Sequence, residues 1–486
     1  MNFKRIFRLP RRAGTEALTA RQTHDMMEDF PNHYNNLYCS SDALQTLRNT
    51  RLQSLLHYAK TNSPWYKKEF AHIDIDTITE QNLAELPSLN KVTLMNNWDD
   101  IVTDRRLSLK LVEKHLNKIS EDENLLYLFE KYHVVTTSGS SGIRGVLIYD
   151  WEEWNQFYIQ LIRYGLYHRD GTEILPDPAK KTRIAIVNIS NQVFATYSFH
   201  KTFYFNDREK FHFPITLPFE QIIAGLNQVQ PDMVIGLPPT LYQLCQEARH
   251  GRLTIEPKVV VSFGEPLYRT IRSLIKKTWP NGAIFNTYSS SEGLIGMNCH
   301  ADSHEMHLND DGCIVQLVDD LNNPVGKNKM SGKVYITNLY NYTLPIIRYE
   351  LADQLIFLDK RCECGINHQL IAEPLYRPEF DFIYQGSILV HHYVFVTPIL
   401  LEKNIREYQV IQTENGVDVK VVLLGVINKT QLQQAIADEL SRQGLSQPEV
   451  KIIEVLKIDY PPSGKLRRFL RDPALPAPLC FIQELS

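Results

Sequence analysis

Apolar positions recur at two different periods along this chain, and the change of period divides it. Between residues 41 and 70, Leu44, Leu47, Leu52, Leu55, Leu56 and Tyr58 fall at helical spacing. They predict an amphipathic helix that stops near Ser63-Pro64. A stretch punctuated by Pro and Asn follows to about residue 95. From about 130 to 300, short β-branched runs at 133–137, 183–189, 233–235, 259–263 and 283–288 alternate with helical segments that include 152–167 and 268–278. That alternation predicts α/β layering around a largely parallel sheet whose ligand loops sit at strand ends. Beyond residue 300 the period shortens to strands and turns at 313–318, 333–338 and 354–358. A last stretch from about 383 reads strand, helix (430–444), strand (451–455), then a turn at Pro461-Pro462-Ser463-Gly464. The expected organisation is a large layered α/β domain over 1–380 and a small α+β domain over 381–486.

Composition narrows the partners. An apolar fraction of 43% in 486 residues is enough for real cores and excludes a disordered chain. A net charge of -4 gives no electrostatic reason to expect nucleic acid. No run approaches the ~18 apolar residues of a membrane span. The start carries Lys4, Arg5, Arg8, Arg11 and Arg12 without an apolar core behind them, so it is no secretory signal. A solvated terminus and a basic segment against an anionic membrane both fit it. Seven cysteines, odd in number and mostly scattered, are not a disulfide framework; they suggest a reducing cytoplasm with buried thiols or a metal site. The sequence leaves monomer and homodimer open.

The clearest chemical feature is Thr136-Thr137-Ser138-Gly139-Ser140-Ser141-Gly142, after a strand and before a helix at Trp151. Glycines let backbone N–H groups turn toward an anion, and the hydroxyls add donors around phosphate oxygens. A flexible Ser/Gly loop would look the same, and the Walker pattern G-x-x-x-x-G-K-[ST] is absent. The loop has ordered company downstream. Gly264-Glu265-Pro266 comes next, then Tyr288-Ser289-Ser290-Ser291-Glu292, then Arg348 to Asp353. Arg377 with Asp381 and finally Ser463-Gly464-Lys465 complete the series.

In that order and spacing the chain resembles the adenylate-forming superfamily across essentially its whole length. More narrowly it resembles the phenylacetate–CoA ligase-like branch, on Tyr58-Ala59-Lys60, Ser63-Pro64-Trp65-Tyr66, Gly264-Glu265-Pro266 and Cys362-Glu363-Cys364-Gly365. The resemblance implies a large ATP- and acid-binding domain with a small mobile C-terminal lid. It implies that Thr137, Ser138, Gly139, Ser140, Ser141 and Gly142 wrap the β,γ-phosphates of ATP. Tyr288 and Gly264-Glu265-Pro266 would wall the adenine, Ser291 would accompany them, and Glu292 would hold Mg²⁺, a hard cation that takes oxygen ligands. Asp353 would receive the ribose hydroxyls, Arg377 would lie near ribose and phosphates, and Asp381 would be the hinge. Lys465 would be the catalytic ammonium at the α-phosphate. Arg144 and Gly145 stand where the family usually has Pro and Lys, and Ala352 where it has Gly.

Phe194 and Tyr197 sit where relatives line the acyl pocket, although core packing explains such aromatics equally well. They suit an aromatic or arylacetic acid. The resembled branch often carries a structural zinc. By position the ligands are Cys299, His307, Cys362 and Cys364, a closed Cys₃His set. The expected reaction is ATP-dependent formation of an acyl-adenylate, release of pyrophosphate, and transfer to CoA. A carrier-protein thiol or an amine is the alternative acceptor, and a nucleotide-binding relative without turnover is the alternative from another class.

Overall fold

The computed structural model describes residues 13–122, 126–137, 144–164, 180–374 (189, 216, 268 and 352 excepted), 382–458 (385–387, 391, 393, 396–397, 400–401, 403 and 424 excepted) and 469–471. These fall into two compact units, one ending at Pro374 and the other starting at Phe382. The boundary expected at 380/381 lies outside the described residues.

The first unit opens with the helix Ala13–Asn35, which the apolar pattern does not announce, and continues with Ser41–Asn62 and Pro64–Glu69. Ser63 explains the break between the last two. It is the C-cap of one helix and the N-cap of the next, its hydroxyl accepting from Tyr66 N at 3.3 Å, with Pro64 following at the first helical position. A two-stranded antiparallel hairpin comes next, β1 (His133–Thr136) with β2 (Val146–Tyr149). Trp98 donates its indole N–H to Val146 O at 3.0 Å and packs beneath it.

The helix Trp151–Ile162 then starts on a capping box. The Asp150 side chain accepts from Glu153 N, and the Glu153 carboxylate accepts from Asp150 N. Its other oxygen accepts from Tyr342 N and Thr343 N at 2.7 and 2.8 Å. Burial, and then the neighbouring Asp150, push the Glu153 carboxyl up to about 8.

The main sheet collects β3 (Thr182–Asn188), β4 (Arg208–Pro214), β5 (Met233–Gly236), β6 (Val259–Phe263), β7 (Ala283–Ser289), β8 (Ile295–Met297) and β9 (Glu305–Leu308). After β10 (Cys313–Val318), β11 (Lys333–Asn338) and β12 (Tyr349–Leu351), β13 (Leu370–Ala372) joins its edge. The order is β13-β9-β8-β7-β6-β5-β3-β4. The five strands from β4 to β7 are parallel, linked by helices at Ala195–Thr202, Phe219–Val229, Pro238–Arg249 and Arg269–Thr278. From β7 to β13 pairing turns antiparallel. Strands β10-β11-β12 form a separate antiparallel sheet. The strand expected at 354–358 makes only single bridges, Met330 with Ile356 and Phe357 with Ile371.

One buried ion pair ties distant segments of this unit together. Arg163 donates to Asp311 at 2.6 and 2.8 Å, and both side chains are fully buried. Arg163 also reaches the carbonyl of His33 at 2.9 Å. Burial opposes the charge on Asp311, but the adjacent Arg163 outweighs it and holds the carboxyl far below the usual carboxylate range.

In the second unit, β14 (Phe382–Tyr384) pairs with β15 (Ile388–Val390). β16 (Ile405–Thr413), β17 (Gly416–Leu423), β18 (Glu449–Glu454) and β19 (Phe469–Leu470) form a sheet in the order β18-β17-β16-β19. The helix Lys429–Arg442 makes the crossover between the parallel strands β17 and β18.

Candidate active site

In a parallel sheet, ligand groups gather beyond the carboxyl ends of the strands. Gly264-Glu265-Pro266 leaves the carboxyl end of β6, and Gly264 has φ +79, a conformation that favours glycine. Tyr288 is the penultimate residue of the neighbouring strand β7. It pairs with Gly296, whose missing side chain leaves the Tyr288 ring room. The sequence therefore puts the two expected adenine walls on adjacent strand ends.

Ser291 and Glu292 follow in a tight turn closed by Ser290 N donating to Leu294 O at 2.9 Å and Gly293 N donating to Ser290 O at 3.1 Å. The Ser291 carbonyl accepts from the Tyr149 hydroxyl at 2.6 Å, and the Glu292 carbonyl accepts from Asn338 Nδ2 at 2.9 Å. Gly293 has φ +105, and a Cβ there would stand 2.2 Å from Asn338 Nδ2 and 2.5 Å from the Tyr340 hydroxyl. Asn309 Nδ2 also donates to the Gly293 carbonyl at 3.0 Å, so three separate segments grip this turn. Glu292 is only 5% exposed, so it is not a solvated carboxylate at a helix start. The Tyr349 hydroxyl is hydrogen-bonded to it; burial first, and the Glu292 charge second, push that phenol well above its ordinary value. Asp353 follows β12 two residues after its end and is half-buried.

The expected phosphate loop follows β1 and precedes the helix Trp151–Ile162, with β2 between them. β1 pairs with β2, which begins at Val146, and the helix at Trp151 begins only after β2. The base of the loop is closed by Thr137 N donating to Gly145 O and Gly145 N donating to the Thr137 hydroxyl, both at 2.9 Å. Arg144 Nε donates to the Thr136 hydroxyl at 2.6 Å, which anchors an otherwise exposed side chain. A cation the sequence reading missed, Lys91, also reaches this base. Its Cε lies 3.7 Å from where a Cβ of Gly145 would be, so a lysine from another segment borders Gly145. The signal was invisible because 54 residues of chain separate the two. Of the expected loop, Ser138, Gly139, Ser140, Ser141 and Gly142 lie outside the described residues, as do Arg377, Asp381 and Lys465.

Phe194 and Tyr197 belong to the segment opening the helix Ala195–Thr202. Phe194 is half-buried against the main core, and Tyr197 is buried with its ring edge-on to His212 of β4 at 4.5 Å.

Far from the strand ends, Cys299, His307, Cys362 and Cys364 come together, with their ligand atoms all within 4.8 Å of one another. Cys299 Sγ is 3.3 Å from Cys362 Sγ, and Cys364 Sγ is 3.3 Å from His307 Nε2. His307 Nδ1 lies 3.0 Å from the His368 carbonyl, the outer hydrogen bond that fixes an imidazole so that Nε2 faces a metal. Thiolates at zinc distance in a tetrahedron stand about 3.8 Å apart, so this group can hold a metal ion with little movement.

Neither a protein-family model nor a curated protein matches this sequence. Solved structures do. That of 2-hydroxyisobutyryl-CoA ligase in its postadenylation state with R3-HIB-AMP is 15% identical, with a TM-score of 0.55 over 90% of this chain and 91% of that one. The chain has the fold of that ligase. Its thioesterification state with 2-HIB-AMP and CoA matches at 14% identity and TM-score 0.55, again over 90% and 91%. An open conformation with 2-HIB-AMP and CoA gives 15% identity and TM-score 0.50 over 87% and 90%. The adenylate-forming architecture expected from the motifs is therefore matched at the level of fold. Among the described residues, no helix is long and apolar enough to cross a membrane.

Proposed function

We propose that the protein is an AMP-forming acid–thiol ligase. The acid's carboxylate oxygen attacks the α-phosphorus of ATP and pyrophosphate leaves; a thiol then attacks the acyl carbon and AMP leaves. The observation that carries this reading is the buried Glu292, held by Tyr349 within a turn gripped from three sides, one turn beyond Tyr288 and beside the strand that leads into Gly264. A fixed carboxylate at the mouth of a parallel sheet suits a Mg²⁺ ion bridging phosphates. Lys91, Arg144 and the Thr137 hydroxyl surround the base of the expected phosphate loop with donors. Asp353 receives the ribose, and Lys465 stabilises charge at the α-phosphate. The fold neighbour crystallised with both an acyl-adenylate and CoA makes CoA the favoured acceptor. Zn²⁺ is the proposed occupant of the Cys299–His307–Cys362–Cys364 group, where it would clamp loops and take no part in the chemistry.

Acid-dependent exchange of labelled pyrophosphate into ATP tests the first half-reaction alone. The wild type is expected to exchange, Lys465→Ala to lose about a hundredfold or more, and CoA to convert exchange into net AMP release. Exchange that survives Lys465→Ala unchanged overturns the assigned mechanism. Exchange without CoA-dependent AMP release moves the acceptor to a carrier thiol or an amine.

A further inference from the structure

Beside Tyr197 lies a polar group that the reading above leaves unused. His212, the fifth residue of β4, is 4% exposed, and its Nδ1 is 2.8 Å from the hydroxyl of Ser190, which follows β3. Its Nε2 is buried and meets no hydrogen-bond partner among the described residues. Burial first, and the buried Lys201 ammonium second, push the His212 imidazole down to about 3, so the ring is neutral. A Ser190 hydroxyl that donates to Nδ1 puts the ring proton on Nε2. It is then a donor aimed from one fixed tautomer. A buried donor left unmade costs free energy that the fold does not recover.

Its location says what could accept from it. Ser190 and His212 lie toward the carboxyl ends of β3 and β4, the same edge of the parallel sheet that carries Gly264 and Tyr288. Four strand intervals separate β7 from β4, which carries His212, roughly 19 Å at about 4.8 Å each. That is the length scale of a nucleotide bearing an acyl group. Tyr197 packs edge-on to the imidazole, and Lys201 Nζ stands 5.9 Å from the Tyr197 ring centroid. A cation beside an N–H donor favours an electron-rich oxygen as the guest.

We propose that Ser190 and His212, with Tyr197 alongside, form the polar end of the acid-binding pocket and select a carboxylic acid that carries a second, accepting oxygen, a hydroxyl or carbonyl, over its hydrocarbon counterpart. This rests on the adenylation reading. His212 donates to that oxygen, and Ser190 is the positioning residue that fixes the tautomer.

Pyrophosphate exchange is measured with matched pairs: isobutyrate and 2-hydroxyisobutyrate, phenylacetate and 4-hydroxyphenylacetate, benzoate and 4-hydroxybenzoate. The wild type is expected to favour the oxygenated member of at least one pair by roughly tenfold to a hundredfold in kcat/KM, as a site with an unsatisfied polar group rejects a guest that cannot answer it. His212→Phe should bring that ratio to about one, and His212→Gln, which keeps an N–H, should restore part of it. Ser190→Ala, at a half-exposed position that does not threaten the fold, should lower the ratio severalfold and serves if His212→Phe does not fold. Equal use of both members of every pair, as expected if a bound water serves His212, overturns the subsite while leaving adenylation standing. So does a preference that Ser190→Ala and His212→Gln leave untouched. No exchange with any acid overturns the adenylation reading itself.

Discussion

Replacing Gly293 by alanine puts a carbon where two side chains already stand. The new Cβ would lie 2.2 Å from Asn338 Nδ2 and 2.5 Å from the Tyr340 hydroxyl, at a backbone φ of +105. Holding a residue with a Cβ at such a φ costs about 1–3 kcal/mol, and forcing a methyl into a packed site typically costs 1–3 kcal/mol more. The neighbours cannot simply swing away. Asn338 Nδ2 is bonded to the Glu292 carbonyl and the Tyr340 hydroxyl to the Gly293 carbonyl at 3.0 Å. A total of about 2–6 kcal/mol follows, which at about 2 °C per kcal/mol for a large domain lowers Tm by roughly 4–12 °C. Because the turn carries Glu292, pyrophosphate exchange at 25 °C should fall at least about tenfold in the fraction that remains folded. Differential scanning calorimetry and the exchange assay read the two effects. Gly326→Ala is the control, since nothing lies within 4 Å of its Cβ. If Gly293→Ala melts within about 1 °C of both wild type and control, the turn is not gripped as described and the reasoning fails.

Two other outcomes follow from described residues. His115 and His212 are buried and neutral, held down to about 4 and about 3, chiefly by burial. An unfolded histidine takes its proton near pH 6.5, so below that pH the unfolded chain binds protons that the folded one refuses. Stability should fall as pH drops from about 6.5 toward 4, each histidine adding up to about 1.4 kcal/mol per pH unit to the slope, while Glu153, whose raised carboxyl contributes with the opposite sign, offsets about one of them above the ordinary carboxylate range. Urea melts at pH 7.5, 6 and 5 check this, and a flat profile refutes it. For the Cys and His group, purified protein should contain about one zinc per chain, and Cys364→Ser should lose it on dialysis against a chelator. Elemental analysis decides, and wild type without zinc, with all its thiols titratable, sinks the assignment.

What the sequence disclosed tracks how completely each element is buried. The runs predicted at 259–263, 313–318 and 333–338 coincide with β6, β10 and β11, because each is rich in β-branched and other apolar residues and buried over most of its length. β4 escaped notice because Arg208, Glu209 and Lys210 open it, which an edge strand tolerates and a pattern search rejects. The helix Ala13–Asn35 was hidden by Pro31 inside it and by a face that stays polar. The order of the motifs is what named Glu292, Tyr288 and Asp353 as site candidates. Tyr349's bond to Glu292, Lys91 at the hairpin base and the His212–Ser190 pair were not legible there, since each joins residues that only tertiary structure brings together. The four zinc candidates were named by position, and the structure brings their side chains into one cluster.

The Arg163–Asp311 pair has a consequence for how the chain is made. A guanidinium buried without its carboxylate is strongly unfavourable, and 148 residues separate the two partners. While a ribosome is still short of residue 311, Arg163 has no counter-charge, and the helix Ala13–Asn35 lacks the His33 carbonyl contact that the settled arginine makes. Asn36, which donates to Asp311 at 3.2 Å, waits as well. The amino-terminal third therefore emerges early but locks late, and a nascent chain stalled before Asp311 should stay protease-sensitive across its first helices.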